Sequence, residues 1–256
     1  MDLDVKGRVF VLTGATRGLG LATAEVLVAD GARVLVSGRN QDSVDSAVAS
    51  LVEIGGAGAA RGQAADNGDS HAAGRLVAEA KDTWGRLDGV LVSVGGPPGG
   101  TVSDMTDEQW LTAFDSVFLG AVRLARTAAA ALEDGGSIAF VLSTSVRQPI
   151  AGLAISNGLR PGLAMVAKNL ADELGPRGIR VNGLLPGRVA TERVAELDAS
   201  TGDAAAAQAA ATAQIPLGRY GLPSEFGRVA AFLLSPAASF VSGAMVPVDG
   251  GMSRGL

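Results

Sequence analysis

The residues of this chain best suited to chemistry lie near its start, in Thr13-Gly14-Ala15-Thr16-Arg17-Gly18-Leu19-Gly20. An apolar run, Val9 to Leu12, enters this stretch, and a helical pattern of Leu21, Ala24, Val26 and Leu27 leaves it. A strand that turns into a helix through glycines can hold phosphate. The first helical turn offers unpaired N–H donors and the positive end of the helix dipole. The glycines allow the tight turn and a close approach of the backbone to a pyrophosphate. A turn that merely needs glycines is the alternative, and the rest of the chain weighs against it.

Apolar runs at Val9–Leu12, Arg33–Ser37, Val90–Val94, Ile138–Leu142, Ile179–Leu185 and Met245–Val248 read as strands, with a weaker seventh near Ala59–Ala64. Helical patterns fill the intervals, roughly 18–30, 42–54, 70–84, 107–133, 157–175 and 223–235. Continuous apolarity, without alternation, belongs to strands covered on both faces. Strand–helix alternation predicts an α/β fold with a doubly wound parallel sheet. No composition break divides residues 1–256, so one domain is expected. Glu192–Gln214, with its runs Ala204–Ala207 and Ala209–Ala211, interrupts the alternation. It reads either as an Ala-rich surface helix or as a lid over a site, spanning 190–218. The lid is the preferred expectation, because long insertions in compact domains are often functional.

Composition narrows the functions. The chain has 47% hydrophobic and 18% charged residues, a net charge of −5, no cysteine and one histidine, His71. Thiolate sites and disulfides are excluded; a histidine-based metal site or a Ser-His-Asp triad is not expected, and no metal is. No basic block points to nucleic acid. The N-terminus is short and acidic, unlike a signal peptide, and no apolar stretch reaches the ~18–20 residues needed to span a bilayer. A cytoplasmic protein without membrane contact is expected.

Further motifs carry a resemblance. They are Asp66-Asn67 after the third strand, Arg86-Leu87-Asp88 before the fourth, Arg180-Val181-Asn182 and Pro186-Gly187 around the sixth, and Val248-Asp249-Gly250-Gly251 at the end. With Thr13–Gly20, they make the chain resemble the short-chain dehydrogenase/reductases over essentially its full length. It is most similar to their 3-oxoacyl-carrier-protein-reductase-like branch. The resemblance implies a Rossmann-type seven-stranded parallel sheet with helices on both faces and a nicotinamide cofactor across the carboxyl ends of the strands. It also implies a small-molecule carbonyl or acyl-thioester substrate, and a homotetramer or homodimer built partly from long helices.

The type of cofactor follows from charge. An acidic residue after the second strand holds the ribose of NAD, whereas an arginine accommodates the 2′-phosphate of NADP. Here that strand ends Val36-Ser37-Gly38-Arg39-Asn40, with no carboxylate before Asp42. Arg39 is in place, Arg17 supplies a second cation, and Gly38 leaves room, so NADP(H) is expected. The resemblance assigns Gly14, Thr16, Gly18, Leu19 and Gly20 to the dinucleotide, Asp66 and Asn67 to the adenine, and Gly95, Pro186, Gly187, Val189 and Thr191 to the nicotinamide side. The loop Gly95-Gly96-Pro97-Pro98-Gly99-Gly100 is expected to form a wall of the substrate pocket.

At the catalytic positions the resemblance fails. The family takes a proton from tyrosine in a Tyr-x-x-x-Lys motif, holds the carbonyl with a serine, and supports a water relay with an asparagine. Ser143 matches the serine, but Ser156 stands at the tyrosine position, Arg160 at the lysine and Val117 at the asparagine. The lone tyrosine, Tyr220, lies near the last helix. A serine hydroxyl needs a base to ionise. Arg160 cannot be that base, but it can stabilise an oxyanion or bind an anionic group. Ser143, Ser156 and Arg160 are therefore the candidate catalytic residues. Pro161 disfavours helical geometry at Arg160, so the helix is expected to begin or kink there. Three functions remain open: an NADP(H)-dependent carbonyl reductase with an altered site, a non-catalytic NADP(H)-binding regulatory or scaffold protein, and a non-redox lyase or isomerase.

Overall fold

The computed structural model describes residues 2–255. Seven strands form one sheet: β1 Val9–Leu12, β2 Arg33–Gly38, β3 Ala60–Ala64, β4 Gly89–Val92, β5 Ser137–Val141, β6 Arg180–Pro186 and β7 Met245–Val248. Their order is β3-β2-β1-β4-β5-β6-β7, and every adjacent pair is parallel. The helices are α1 Gly18–Ala29, α2 Gln41–Gly55, α3 Ala72–Trp84, α4 Asp107–Ala113, α5 Gly120–Ala131, α6 Ala154–Leu174, α7 Glu192–Ala199, α8 Ala204–Ala213 and α9 Pro223–Leu234.

The sheet explains its own sequence pattern. Successive residues of a strand face opposite sides. Val9 and Val11 join the core under α3, α5 and α6, with Leu76, Leu124, Ile138 and Leu163. Phe10 and Leu12 join the core under α1, α2 and α9, with Leu27, Leu51, Leu91 and Phe226. Both sides are covered, so both sets must be apolar. Strand order reverses between β1 and β4, which opens a crevice at their carboxyl ends. Thr13 ties the two strands just inside that crevice, its hydroxyl donating to Ser93 O at 2.8 Å. No helix among the described residues is long and apolar enough to cross a membrane.

Two helices depart from expectation. The single helix over 107–133 is divided: a π-helical turn, Phe114–Leu119, separates α4 from α5. That wider turn adds a residue to the helical path. Gly120 then lies so close to Asn67 O that a side chain there could not fit, while Val117 packs beside Ile155 and Leu159 of α6. The second departure concerns Arg160, where the sequence predicts that the helix begins or kinks: it does not begin there. Helix α6 runs unbroken from Ala154 to Leu174 with Pro161 inside it. A proline within a helix costs about 3 kcal/mol. Burial of Ile155, Leu159 and Leu163 outweighs that, at about 1.5–3 kcal/mol each. Asn157 also fixes the first turns, accepting from Ile150 N at 3.0 Å and donating to Ile150 O at 2.8 Å.

Candidate active site

The glycine stretch forms a cradle at the carboxyl end of β1. Gly14 and Gly18 have φ of +55° and +56°, a region that favours glycine. A Cβ on Gly14 would lie 2.8 Å from Ser93 O, and one on Gly20 would lie 2.8 Å from Ala15 Cα. Arg17 is the N-cap of α1, and no side chain caps the first turn. Its N–H donors are therefore left for a ligand, at the positive end of the dipole. Leu19 packs beneath this turn against the α1 core.

Arg39 follows β2 in solvent and makes no ion pair among the described residues. The space at Gly38 has an occupant that the sequence did not suggest. A Cβ there would lie 2.6 Å from Thr16 Cγ2, so a longer side chain must displace Thr16 first. Asp66 is exposed and accepts from Gly68 N at 2.9 Å, which shapes the loop carrying Asn67 after β3.

At the far end of the crevice stand the three candidate catalytic residues. Ser143 follows β5, and its hydroxyl accepts from Ser145 N at 3.1 Å, leaving its proton free to donate. Ser156 is 8% exposed, and its hydroxyl makes no side-chain hydrogen bond among the described residues. Arg160 lies one turn further along the same face of α6. Its guanidinium is 5% exposed, donating to Val141 O at 2.5 Å and to Val94 O at 3.3 Å. It thus bridges the carboxyl ends of β4 and β5. Burial lowers its pKa to about 10, so it stays cationic at neutral pH. Its Nε is buried without a partner. Val117, at the family's asparagine position, sits in an apolar cluster with Ile155, Leu159, Trp110 and Phe118.

Two segments follow the carboxyl ends of β4 and β6. Gly95 borders open space, since a Cβ there would meet nothing within 4 Å. Gly100, at the end of the same loop, donates through its N–H to Gly152 O at 2.7 Å, just before α6. On the other side, Gly187 packs against Asp249 and donates to Val248 O at 3.1 Å, which fixes the turn after Pro186. Val189 is buried and bridged to Gly221. Thr191 caps α7, with its methyl group 3.4 Å from where a Cβ on Gly18 would be.

The segment expected as one lid contains two helices, α7 and α8, and α7 carries contacts that sequence reasoning missed. Arg17 pairs with Glu192 at 2.6 Å and Glu196 at 3.7 Å. Arg193 donates to Pro97 O at 2.7 Å. Asp198 is buried, 3.0 Å from both Arg188 Nη1 and the Tyr220 hydroxyl. Burial, then the bond to Asp198, raises the Tyr220 pKa. Tyr220 is thus a strut for α7, while His71 lies exposed at the start of α3. The one available signal was the dense charge of Glu192-Arg193 through Asp198, which resembles any solvated helix face.

Residues 14–253 match a family described as enoyl-(acyl carrier protein) reductase. The chain is 34% identical over 256 residues to a putative ketoacyl reductase of the monensin polyketide synthase from Streptomyces virginiae, covering 96% of this chain and 97% of that protein. It is 34% identical to an uncharacterised oxidoreductase of Methylorubrum extorquens, covering 97% and 98%. Among solved structures, L-sorbose reductase from Gluconobacter frateurii, complexed with NADPH and L-sorbose, superposes with a TM-score of 0.94 at 29% identity, covering 100% of both chains. With the seven-stranded parallel sheet and its glycine cradle, these likenesses give one answer: the chain is a member of the short-chain dehydrogenase/reductase family.

Proposed function

We propose that the chain is an NADP(H)-dependent reductase of a small-molecule carbonyl or acyl-thioester substrate of the 3-oxoacyl type, working with an atypical active site. The observation that carries this reading is the pair of free hydroxyl donors, Ser143 and Ser156, beside the buried cation Arg160 at the strand ends. The ketoacyl reductase relative and the NADPH-complexed neighbour support it.

The cradle fits a dinucleotide: it has uncapped N–H donors and backbone packed too closely for side chains at Gly14 and Gly20. Gly14, Thr16, Gly18, Leu19 and Gly20 would hold the pyrophosphate, Arg39 and Arg17 the 2′-phosphate, and Asp66 and Asn67 the adenine. Gly95, Pro186, Gly187, Val189 and Thr191 would border the nicotinamide. When bound, the reduced cofactor supplies a hydride. Ser143 and Ser156 donate hydrogen bonds to the substrate carbonyl oxygen. Arg160 stabilises the growing negative charge through its field, because its own donors are held by Val141 O and Val94 O. Water gives the proton. Loss of a positioned general acid costs about 10²–10⁴ in rate, so turnover is slow. Exposed Leu111, Phe114 and Met165 on α4–α6 support a homodimer or homotetramer, which light scattering would size.

The test follows NADPH absorbance with a panel of 3-oxoacyl thioesters and small ketones. Oxidation above the protein-free rate, lost in Ser143→Ala, is the expected result. Tight NADPH binding without turnover on the panel refutes the reading and leaves a non-catalytic binding protein.

A further inference from the structure

Arg17 and Arg39 both lie at the phosphate end of the crevice, yet their surroundings differ. Arg39 is free of carboxylates among the described residues, whereas Arg17 is engaged by two residues of α7 from 175 and 179 positions away. All three side chains are half-exposed or more: 59% for Arg17, 64% for Glu192 and 51% for Glu196. A pair this exposed is weak and can be exchanged. The far end of α7 is fastened separately, through Asp198 to Arg188 and Tyr220. The next residue, Arg193, holds Pro97 O of the opposite wall. Adjacent residues of one helix thus grip the cofactor's cradle and the substrate's wall.

We propose that Glu192, helped by Glu196, is a specificity-determining carboxylate that competes with the cofactor's phosphate for Arg17. The inference rests on the NADP(H) reading above. An arriving phosphate takes Arg17, and the two carboxylates leave it. The start of α7 then swings from its fastened end, and Arg193 carries the change to Pro97. A ligand that does not engage Arg17 leaves α7 latched, so the contact favours the more phosphorylated dinucleotide in opening the substrate wall.

The experiment is a double-mutant cycle on NADPH affinity, read by nicotinamide fluorescence at fixed ionic strength. It compares the native chain with Glu192→Gln/Glu196→Gln, Arg17→Gln, and all three changes together. Removing the carboxylates is expected to tighten NADPH by about 1.5- to 5-fold while Arg17 is present, and to change nothing once Arg17 is gone. Equal tightening in both backgrounds would mean general charge repulsion, and weaker binding would make Glu192 a cofactor ligand; either overturns the inference. Hydrogen exchange of the α7 amides in the cofactor-free protein gives a second reading. The glutamine pair and Arg17→Gln should each speed it, and the combined variant no further; additive effects also overturn the latch. If none of the four proteins binds NADPH, the cofactor reading itself fails and the competition fails with it, which the exchange data distinguish from a missing latch.

Discussion

Arg160 gives the sharpest test of how the active site is held. Burial alone lowers its pKa from the ordinary guanidinium range to about 10. At 1.36 kcal/mol per unit, keeping that charge inside costs the folded state about 3 kcal/mol. The return is two charge-assisted bonds, one at 2.5 Å to Val141 O and a longer one at 3.3 Å to Val94 O. Such bonds contribute about 1.5–3 kcal/mol each when short, and the longer one less. The terms nearly cancel. Arg160→Met, which removes the charge and keeps the volume, is therefore expected to leave stability within about 1–2 kcal/mol of the native chain. Arg160→Lys keeps the charge but cannot span both carbonyls, and should cost about 2–3 kcal/mol, or roughly 4–12 °C in Tm. The chemically conservative change is thus the more damaging one. The sign with pH is also fixed. With the folded pKa below the unfolded one, the unfolded chain binds more protons above about pH 10, and stability rises there. Relative to Arg160→Met, the native chain should gain about 1 kcal/mol between neutral pH and about pH 10.5. Denaturant melts at several pH values measure all of this. An Arg160→Met protein that loses far more stability than Arg160→Lys would refute the reasoning.

Other expectations follow from single contacts. Gly38→Asp should destabilise by about 1–3 kcal/mol, because its Cβ meets Thr16 Cγ2 at 2.6 Å. Gly38→Asp with Thr16→Ser should recover much of that and shift the preference toward NADH, read by melting and by titration of both dinucleotides. Tyr220→Phe removes the bond to Asp198 while Arg188 remains, so α7 should exchange faster with a stability loss of about 0.5–1.5 kcal/mol. Its turnover should stay within a few fold; a collapse like that of Ser143→Ala would make Tyr220 the proton donor. Ser156→Tyr with Arg160→Lys, assayed below its lowered melting point, should gain at least the lower end of the ~10²–10⁴ that general acid catalysis supplies. No gain would show that the pocket no longer presents a substrate to that face of α6.

Much of the fold was legible because strands buried on both sides announce themselves as unbroken apolar runs, as in Val9-Phe10-Val11-Leu12. Ala60–Ala64 was faint because β3 is an edge strand with one neighbour and a half-covered face. The π turn at Phe114–Leu119 was not legible, since its apolar spacing over two turns resembles an ordinary helix; what marks it is Gly120 against Asn67, a contact across 53 positions. Pro161 misled for the opposite reason. The local rule is sound, but it weighs one bond against the burial of three large side chains.

The site divides along the same line. The glycine turn after β1 is written in consecutive residues, so its backbone shape was legible in the sequence. The candidate catalytic end depends on Arg160 of α6 meeting Val94 and Val141 at the ends of β4 and β5, with Ser143 and Ser156 on the same segments. In the sequence Val117, Ser156 and Arg160 stand as three separate departures from the family pattern. In space they form one change. Val117 and its neighbours fill the relay position with apolar bulk, and Arg160 turns to the strand carbonyls in place of a ribose or a tyrosine. No proton path along side chains remains between them, since valine carries no proton and guanidinium does not release one near neutral pH. A cation fixed by backbone, two free hydroxyls and access to water are what is left. Of that set only water can protonate an alkoxide, so the proposed reaction rests on the positioning of hydride donor and carbonyl.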